Sequence, residues 1–578
     1  MTKTWGPKTA FCDTLHADKY RQRGESFRDA MTRVASALGD SDSHFTSFRD
    51  ILLEMRFMPG GRIQAAMGAT RVTTPYNCFV SGPIADSYTR GHGSIMERAR
   101  EAADTMRLGG GIGYDFSTIR PRGDIIQTLE SQASGPVSFM PIYDAVGLAT
   151  SSSGHRRGAQ MAVLRVDHPD IEDFVRAKRV PGALTGFNIS VAITDEFITS
   201  LREGTSFKLR WGKRVYREID AGALWDLIMR TNYDWSEPGI LFIDQINRMN
   251  NLSYCETISA TNPCGEQPLP PYGACLLGSI NLPRYLFKTD PSAGIVWEFD
   301  YRQFHLDIPH IIRAMDNVVD RARYPLHEQQ QEAYQKRRMG IGITGAANAI
   351  EAMGYPYGSH GFCTILRSIL SNLKNAAYKA SALLAREKGS FPLYEADRYL
   401  NTPFIQSLED DTWDLIQKYG IRNSHLTSIA PTGTISLASD NISSGIEPVF
   451  AHSVKRLVYN PKTMEQDLVE LKDYGVEYLD VKGKIADECT ADDHLAVLTA
   501  CAPHIDSAVS KTCNVPKDFS WDAFKALYLR AYDAGCKGCT THRTGNMRGA
   551  VIVATEETPP PALPSCDLDP TTGRRSCE

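Results

Sequence analysis

Chemistry-bearing residues crowd most closely in the stretch Asn262-Pro263-Cys264-Gly265-Glu266-Gln267-Pro268-Leu269-Pro270-Pro271-Tyr272-Gly273-Ala274-Cys275. An amide (Asn262), a thiol (Cys264) and a carboxyl (Glu266) occupy alternate positions. Side chains alternate along extended backbone, so an extended segment would point all three groups one way. The surrounding prolines and glycines argue against a helix and for a stiff loop. Cys275 follows beyond the prolines, and Leu276-Leu277-Gly278-Ser279-Ile280-Asn281-Leu282 reads as a buried strand. The result is a loop with a thiol at its tip, a base beside it and a second thiol near its root. A zinc knot would need further closely spaced thiols or histidines, and none flanks Cys264.

Other candidates lie on either side. Cys78 sits in the short apolar strand Asn77-Cys78-Phe79-Val80; taken alone, it reads as a small core residue. Leu108-Gly109-Gly110-Gly111-Ile112-Gly113-Tyr114-Asp115 is glycine-rich, but a helical pattern precedes it where a dinucleotide fingerprint needs a strand. Close strand packing is the reading we favour there. Ser151-Ser152-Ser153-Gly154-His155-Arg156-Arg157-Gly158-Ala159 has the composition of a solvated loop. Ile429-Ala430-Pro431-Thr432-Gly433-Thr434-Ile435-Ser436 puts small hydroxyl residues and a glycine after a short apolar strand. A helix starting there would make an anion site, although Thr and Ser are also ordinary caps. Cys536-Lys537-Gly538-Cys539 has redox spacing but lacks the βαβ setting of a thioredoxin motif. Cys566 and Cys577 follow the proline-rich segment from Thr555 to Pro564, which reads as a flexible linker.

The elements that must position these groups read as a large α/β protein. Residues 1–75 have apolar positions at helical spacing, as in Phe48-Arg49-Asp50-Ile51-Leu52-Leu53-Glu54-Met55, and Met58-Pro59-Gly60-Gly61-Arg62 ends that pattern. Strand candidates at 161–166 and 187–193, and a strand and turn over 336–345, alternate with helical stretches such as 224–229. The chain has 578 residues, 42% hydrophobic and 23% charged, with a net charge of -5. That is long enough for more than one domain and offers no global basic field for nucleic acid. No apolar run approaches a membrane span, and no signal-peptide core opens the chain. Thirteen irregularly spaced cysteines make a poor disulfide framework and fit a reducing cytoplasm. No cluster with metal-ligand spacing stands out.

Asn262-x-Cys264-x-Glu266, with the run Gly273-Ala274-Cys275-Leu276-Leu277-Gly278-Ser279-Ile280-Asn281-Leu282, resembles the finger loop of the ribonucleotide reductase catalytic subunits. The resemblance extends from about Pro59 to the C-terminus. It implies a ten-stranded α/β barrel of two five-stranded halves over 76–554, with the finger loop at its centre. A small helical region (1–75) would precede the barrel and a redox-active tail (555–578) would follow it. It implies Cys264 as the thiyl site, Glu266 as general base, Asn262 as the orienting amide, and Cys78 with Cys275 as the reducing pair. Cys566 and Cys577 would re-reduce that pair and be reduced by thioredoxin or glutaredoxin. Thr432, Gly433, Thr434 and Ser436 would bind the phosphates of a ribonucleoside di- or triphosphate. Asp86, Ser87, Arg122, His155, Arg156 and Arg157 would bind a dNTP or ATP effector at a homodimer interface. The region before Met58 is too short for an extra ATP-binding cone, which implies the absence of overall on/off control.

The radical source has two readings. Reductases served by a separate, ferritin-like dimetal subunit relay the radical through paired tyrosines, and the sequence has no Tyr-Tyr pair. Lys537-Gly538-Cys539-Thr540-Thr541-His542-Arg543 looks more like the adenosylcobalamin-dependent class. The alternative is a partner subunit with an altered relay. A non-catalytic nucleotide-sensing barrel would have lost the Cys/Glu set. A thiol–disulfide oxidoreductase would leave the phosphate loop and the size unexplained.

Overall fold

The computed structural model describes residues 5–546 apart from 128, 153–155, 158, 181, 290–296 and 461–464, together with two short strands at 567–568 and 575–576. Helices Ala10–Tyr20 (α1), Phe27–Leu38 (α2), Asp42–Leu53 (α3) and Gly61–Ala66 (α4) form the N-terminal region. Helix α2 begins with a capping box. The Ser26 hydroxyl accepts from the Asp29 N–H while the Asp29 carboxylate accepts from the Ser26 N–H. Its apolar stripe buries Phe27, Met31, Val34 and Leu38. Between α3 and α4 lies Phe57–Pro59 (β1).

Five strands follow, each parallel to the next: Cys78–Val80 (β2), Gly111–Asp115 (β3), Gln160–Arg165 (β4), Phe187–Ile193 (β5) and Gly239–Phe242 (β6). Helices Ile95–Arg107 (α5), Met140–Ala149 (α6) and Ala221–Trp235 (α7) lie in the crossovers. Parallel strands are covered on both faces, and β4 and β5 accordingly read as near-continuous apolar runs, buried almost throughout. Next comes a hairpin, Ala260–Thr261 (β7) with Pro268–Leu269 (β8). Ala274–Cys275 (β9) pairs antiparallel with β2 and leads directly into Leu277–Asn281 (β10).

Strand β10 lies between β1, antiparallel, and Gly340–Thr344 (β11), parallel. Isolated parallel bridges join Ile341 to Thr427 and Ile429 to Val509. Thr512–Val515 (β12) is parallel to Gly538–Arg543 (β13), which pairs antiparallel with β6. The large sheet therefore has eight strands in the order β9-β2-β3-β4-β5-β6-β13-β12, and a second sheet has the order β1-β10-β11.

One apolar core packs β3–β6 against α5–α7 and helix Trp521–Asp533. Another joins the N-terminal helices to β10, β11 and helices Tyr301–Arg321 and His360–Lys388. Residues 5–75 thus share the core of the segments that follow. A third, smaller cluster includes Cys78, Val163, Ala192, Leu241, Ala260 and Cys275, and packs around the hairpin. Among the described residues, no helix is long and apolar enough to cross a membrane.

Candidate active site

The hairpin β7–β8 carries Asn262 to Gln267 at its tip. The extended, alternating segment expected from the sequence is not what forms: the chain turns. The Gly265 N–H donates to the Asn262 carbonyl (3.1 Å), and Gly265 takes a φ of 82°, which glycine adopts without strain. The Asn262 side-chain oxygen accepts from the Gln267 N–H (3.0 Å) and the Thr261 hydroxyl (3.2 Å). Asn262 therefore shapes the turn with its oxygen, while its Nδ2 is buried with no hydrogen-bond partner. Cys264 is the exposed member of the trio, and Glu266 is buried.

Both sides of the sheet system hold this tip. Asn188, on β5, donates to the Pro263 carbonyl (2.9 Å). The Ser428 hydroxyl and the Ala508 N–H both donate to the Glu266 carbonyl, each at 3.0 Å. Glycines give the hairpin room. A Cβ on Gly113 would stand 1.9 Å from the Thr261 carbonyl oxygen, and one on Gly340 would stand 2.4 Å from the Gln267 amide nitrogen. Within the glycine-rich run, Gly111 and Gly113 thus allow close approach of the hairpin, whereas Gly109 and Gly110 lie against Arg62 and Phe79.

Cys78 and Cys275 occupy directly opposed positions on β2 and β9, both buried. Burial pushes the Cys275 thiol well up, and the neighbouring Cys78, Glu266 and Cys264 add to the shift by disfavouring another negative charge. At neutral pH this sulfur holds its proton.

Of these groups, Cys78, Cys264 and Glu266 line one cleft of about 580 Å3, together with Thr432, Gly433 and Thr434. Thr432 has a φ of 53°, a genuine outlier for a β-branched residue. A buried hydroxyl cluster holds it there. Thr344, at the end of β11, lies 3.0 Å from the Thr432 hydroxyl and 2.7 Å from that of Ser436, and Ser436 donates to Thr432 (2.9 Å). The Ser436 hydroxyl is thus directed into the turn, whereas Gly433 and Thr434 are exposed. The helix that begins here, Gly433–Leu437, is a single short turn.

Asp86 accepts from the Arg120 backbone (3.2 Å) and guanidinium (2.6 Å), which ties it to the 120–124 loop. Ser87 accepts the N–H groups of Arg90 and Ile95 and so shapes the entry to α5. Arg122 turns elsewhere: its N–H donates to Asp170 (2.8 Å), and its guanidinium is 3.8 Å from Asp173. Arg156 and Arg157 form a two-residue strand against Ser151 and Ser152. Their side chains, and His155, Cys566 and Cys577 entirely, lie outside the described residues. Cys536 and Cys539 are buried in the core, and burial pushes Cys536 up to about 12, which removes that pair from surface redox chemistry.

Sequence reasoning missed Thr344, Ser428, Asn188 and Gln267. Thr344 and Asn188 lie in strands, where polar residues signal little by themselves. Gln267 is adjacent to the Asn-x-Cys-x-Glu pattern but outside its alternation.

A family model for the ribonucleotide reductase barrel domain matches residues 76–542. A vitamin B12-dependent ribonucleoside-diphosphate reductase of Mycobacterium tuberculosis (strain CDC 1551 / Oshkosh) is 34% identical, over 98% of this chain and 82% of its own. The enzyme of the same name from Thermoplasma acidophilum is 32% identical, over 90% and 68%. A vitamin B12-dependent ribonucleotide reductase of Streptomyces clavuligerus is 29% identical, over 93% and 63%. Since that family model spans residues 76–542 and the Mycobacterium tuberculosis relative is matched over 98% of this chain, the chain belongs to the ribonucleotide reductases.

Proposed function

We propose that this reductase works by thiyl-radical chemistry at Cys264, with a ribonucleoside diphosphate as substrate and adenosylcobalamin as cofactor. The observation that carries the reading is convergence in one cleft. An exposed thiol lies beside a carboxyl, with two buried thiols at opposed positions behind them.

Replacing the ribose 2′-OH by hydrogen requires an activated ring, because hydroxide is a poor leaving group. Cys264, as a thiyl radical, takes the 3′-hydrogen. Glu266 takes the 3′-OH proton as general base, and Asn262 orients the sugar through its unpartnered Nδ2. The 2′-oxygen leaves as water. Cys78 and Cys275 together supply two protons and two electrons and become a disulfide, Glu266 returns its proton to the 3′-oxygen, and Cys264 returns its hydrogen to C3′. Cys566 and Cys577 then take over the disulfide by thiol exchange, and thioredoxin or glutaredoxin reduces them. Gly433 and Thr434 face the phosphates, while Thr432 and Ser436, through Thr344, hold the turn that presents them.

Two of the relatives named above are called vitamin B12-dependent ribonucleoside-diphosphate reductases. The residues here fit such a cofactor at one point: Cys264 opens to the cleft while Cys78 and Cys275 are buried, so a radical carrier at the cleft meets Cys264 first. When bound, adenosylcobalamin supplies the radical equivalent that the chain's own groups lack.

The strand neighbours support a ten-stranded barrel in two halves. Parallel pairing runs from β2 to β6, and from β10 through β11, Thr427, Ile429 and Val509 to β12 and β13. Antiparallel joins link β9 to β2 and β6 to β13. In this reading residues 76–554 are the catalytic domain, and 555–578 are its redox tail. The loops around Asp86, Arg122 and 154–159 take a dNTP or ATP effector where two copies of the chain meet.

The test is reduction of CDP and CTP by the purified chain with a dithiol, with and without adenosylcobalamin. Deoxycytidine product from CDP only when the cofactor is present is the expected result. Turnover that instead requires an added metal-bearing subunit overturns the cofactor assignment, and no turnover under either condition overturns the mechanism.

A further inference from the structure

The turn at 432–436 offers hydroxyls and backbone N–H groups but no cation. A nucleoside diphosphate brings several negative charges, and a cleft that binds it must balance them. Among the described residues lining the cleft, the cations are Lys19, Arg62, Arg71 and Arg107, against the carboxyl groups of Asp18 and Glu266. Three of the four cations come from the N-terminal helical region and the segment that follows it, and Arg107 ends α5.

These residues form one patch. Arg71 donates to the Arg21 carbonyl (2.5 Å), which ties its segment to the end of α1 beside Lys19. The Thr73 hydroxyl donates to the Leu108 carbonyl (2.7 Å), which sets the same segment against Arg107. The Arg62 guanidinium lies over Gly109, where a Cβ would stand 2.4 Å from it. Tyr20 packs on Gly61 in the same way, at 2.5 Å. Hence four stretches distant in sequence are fastened together with their cations along one wall of the cleft. A concave lining with four cations against the single neighbouring carboxyl of Asp18 focuses a net positive field on the space it encloses.

Building on the reading of this cleft as the ribonucleotide site, we propose that Lys19, Arg62, Arg71 and Arg107 form a second, electrostatic phosphate-recognition element. The turn fixes the position of the phosphates and the basic wall neutralises them. The N-terminal helical region therefore contributes substrate-binding residues as well as core. Its role is in ground-state binding, because none of the four cations is among the sulfurs and the carboxyl that react.

Arg71 and Arg107 are exposed, so their substitution spares the core. In the full-length enzyme loaded with adenosylcobalamin, Arg71→Gln and Arg107→Gln should each raise KM for CDP by about 3- to 10-fold, with kcat within about twofold. The double variant should exceed either single variant, and Arg71→Lys should restore most of the loss. Titration calorimetry, which needs no turnover, should give the same loss of CDP affinity and unchanged affinity for cytidine. Raising salt should weaken CDP binding to the parent more than to the double variant, since screening acts on the charges still present. Unchanged CDP affinity in the double variant overturns the inference, as does an equal loss for cytidine and CDP. Failure of the parent to reduce CDP would overturn the functional reading instead, and the calorimetry would still decide this one.

Discussion

At the residue scale, the proposed mechanism divides labour among three sulfurs by their exposure. Cys264 meets the cleft, whereas Cys275 is buried, and burial holds its proton in place. A sulfur that keeps its hydrogen at neutral pH suits hydrogen delivery, and an exposed one suits radical capture. Cys264→Ser should lower turnover by at least roughly 10³-fold, because an alkoxyl group does not substitute for a thiyl. CDP binding measured by calorimetry should stay within about twofold of the parent. Retention of substantial multiple turnover in this variant would remove Cys264 from the radical role. The residues proposed for this site stood out by their types and by the family resemblance, but their geometry was not legible. The turn at Gly265 depends on Asn262 bonding to the Gln267 N–H, a local side-chain–backbone contact that competes with extended structure. Alternation cannot reveal it. Thr344 was silent for a related reason: a threonine in a strand reads as a β-former, and its bond to Thr432 spans two distant segments.

At the scale of elements, the hairpin β7–β8 is held by contacts from both sheet systems, so its placement depends on what it passes. Gly113→Ala would drive a methyl into the Thr261 carbonyl, which stands 1.9 Å from the added carbon. Because a shift of about 1 Å in a reacting group can cost about 100-fold, this variant should lose about that much in kcat/KM while keeping its circular dichroism spectrum. Parental kinetics would mean that the hairpin is not positioned by this contact. Helix Ala346–Ala352 supplies a second test. One oxygen of Glu351 accepts the N–H groups of Tyr357 (3.0 Å) and Lys484 (2.8 Å), and burial pushes the carboxyl up to about 7. In the unfolded chain it ionises near its ordinary value of 4.5. Between those values the folded state keeps a proton that the unfolded state has lost. Its contribution to stability is therefore full below about 4.5 and lost as pH rises through about 7. Relative to Glu351→Gln, the parent should melt progressively earlier as pH is raised from about 5 to about 7. A constant difference between the two would contradict the assignment. Strands β5 and β11 were legible because apolar, β-branched runs there are bounded by turn residues. The pairings through Thr427, Ile429 and Val509 were not, being isolated bridges. Strand β1 is three residues long and ends in a proline, and its partner β10 is far along the chain.

At the scale of the whole molecule, the ion pair between Asp86 and Arg120 joins two of the proposed effector loops, 2.6 Å apart at their closest atoms. An effector that engages Asp86 or that loop disturbs both at once. With dTTP, dGTP, dATP and ATP in turn, competition among the four ribonucleoside diphosphates should give different product ratios. Coupling of this kind typically amounts to roughly 5- to 150-fold in affinity. Identical ratios under every effector would refute control from these loops. The α/β class was legible in this sequence because strand and helix patterns alternate. Strand order was not, because nothing local in β6 announces that its second neighbour is β13.

That last pairing governs how the protein is made. Strand β6 ends at Phe242, and its antiparallel partner begins at Gly538. At ribosomal speeds of about 5–20 residues per second, the partner emerges roughly 15–60 s later. Throughout that interval the apolar edge of β6 has no native neighbour, and an unpaired edge invites pairing with another chain. The half built from β2 to β6 can form early, but its far border stays open until the last strand of the sheet has been synthesised. Expression at lower temperature or with a chaperone that shields strand edges should therefore raise the soluble yield of this chain more than that of a protein whose neighbouring strands are close in sequence.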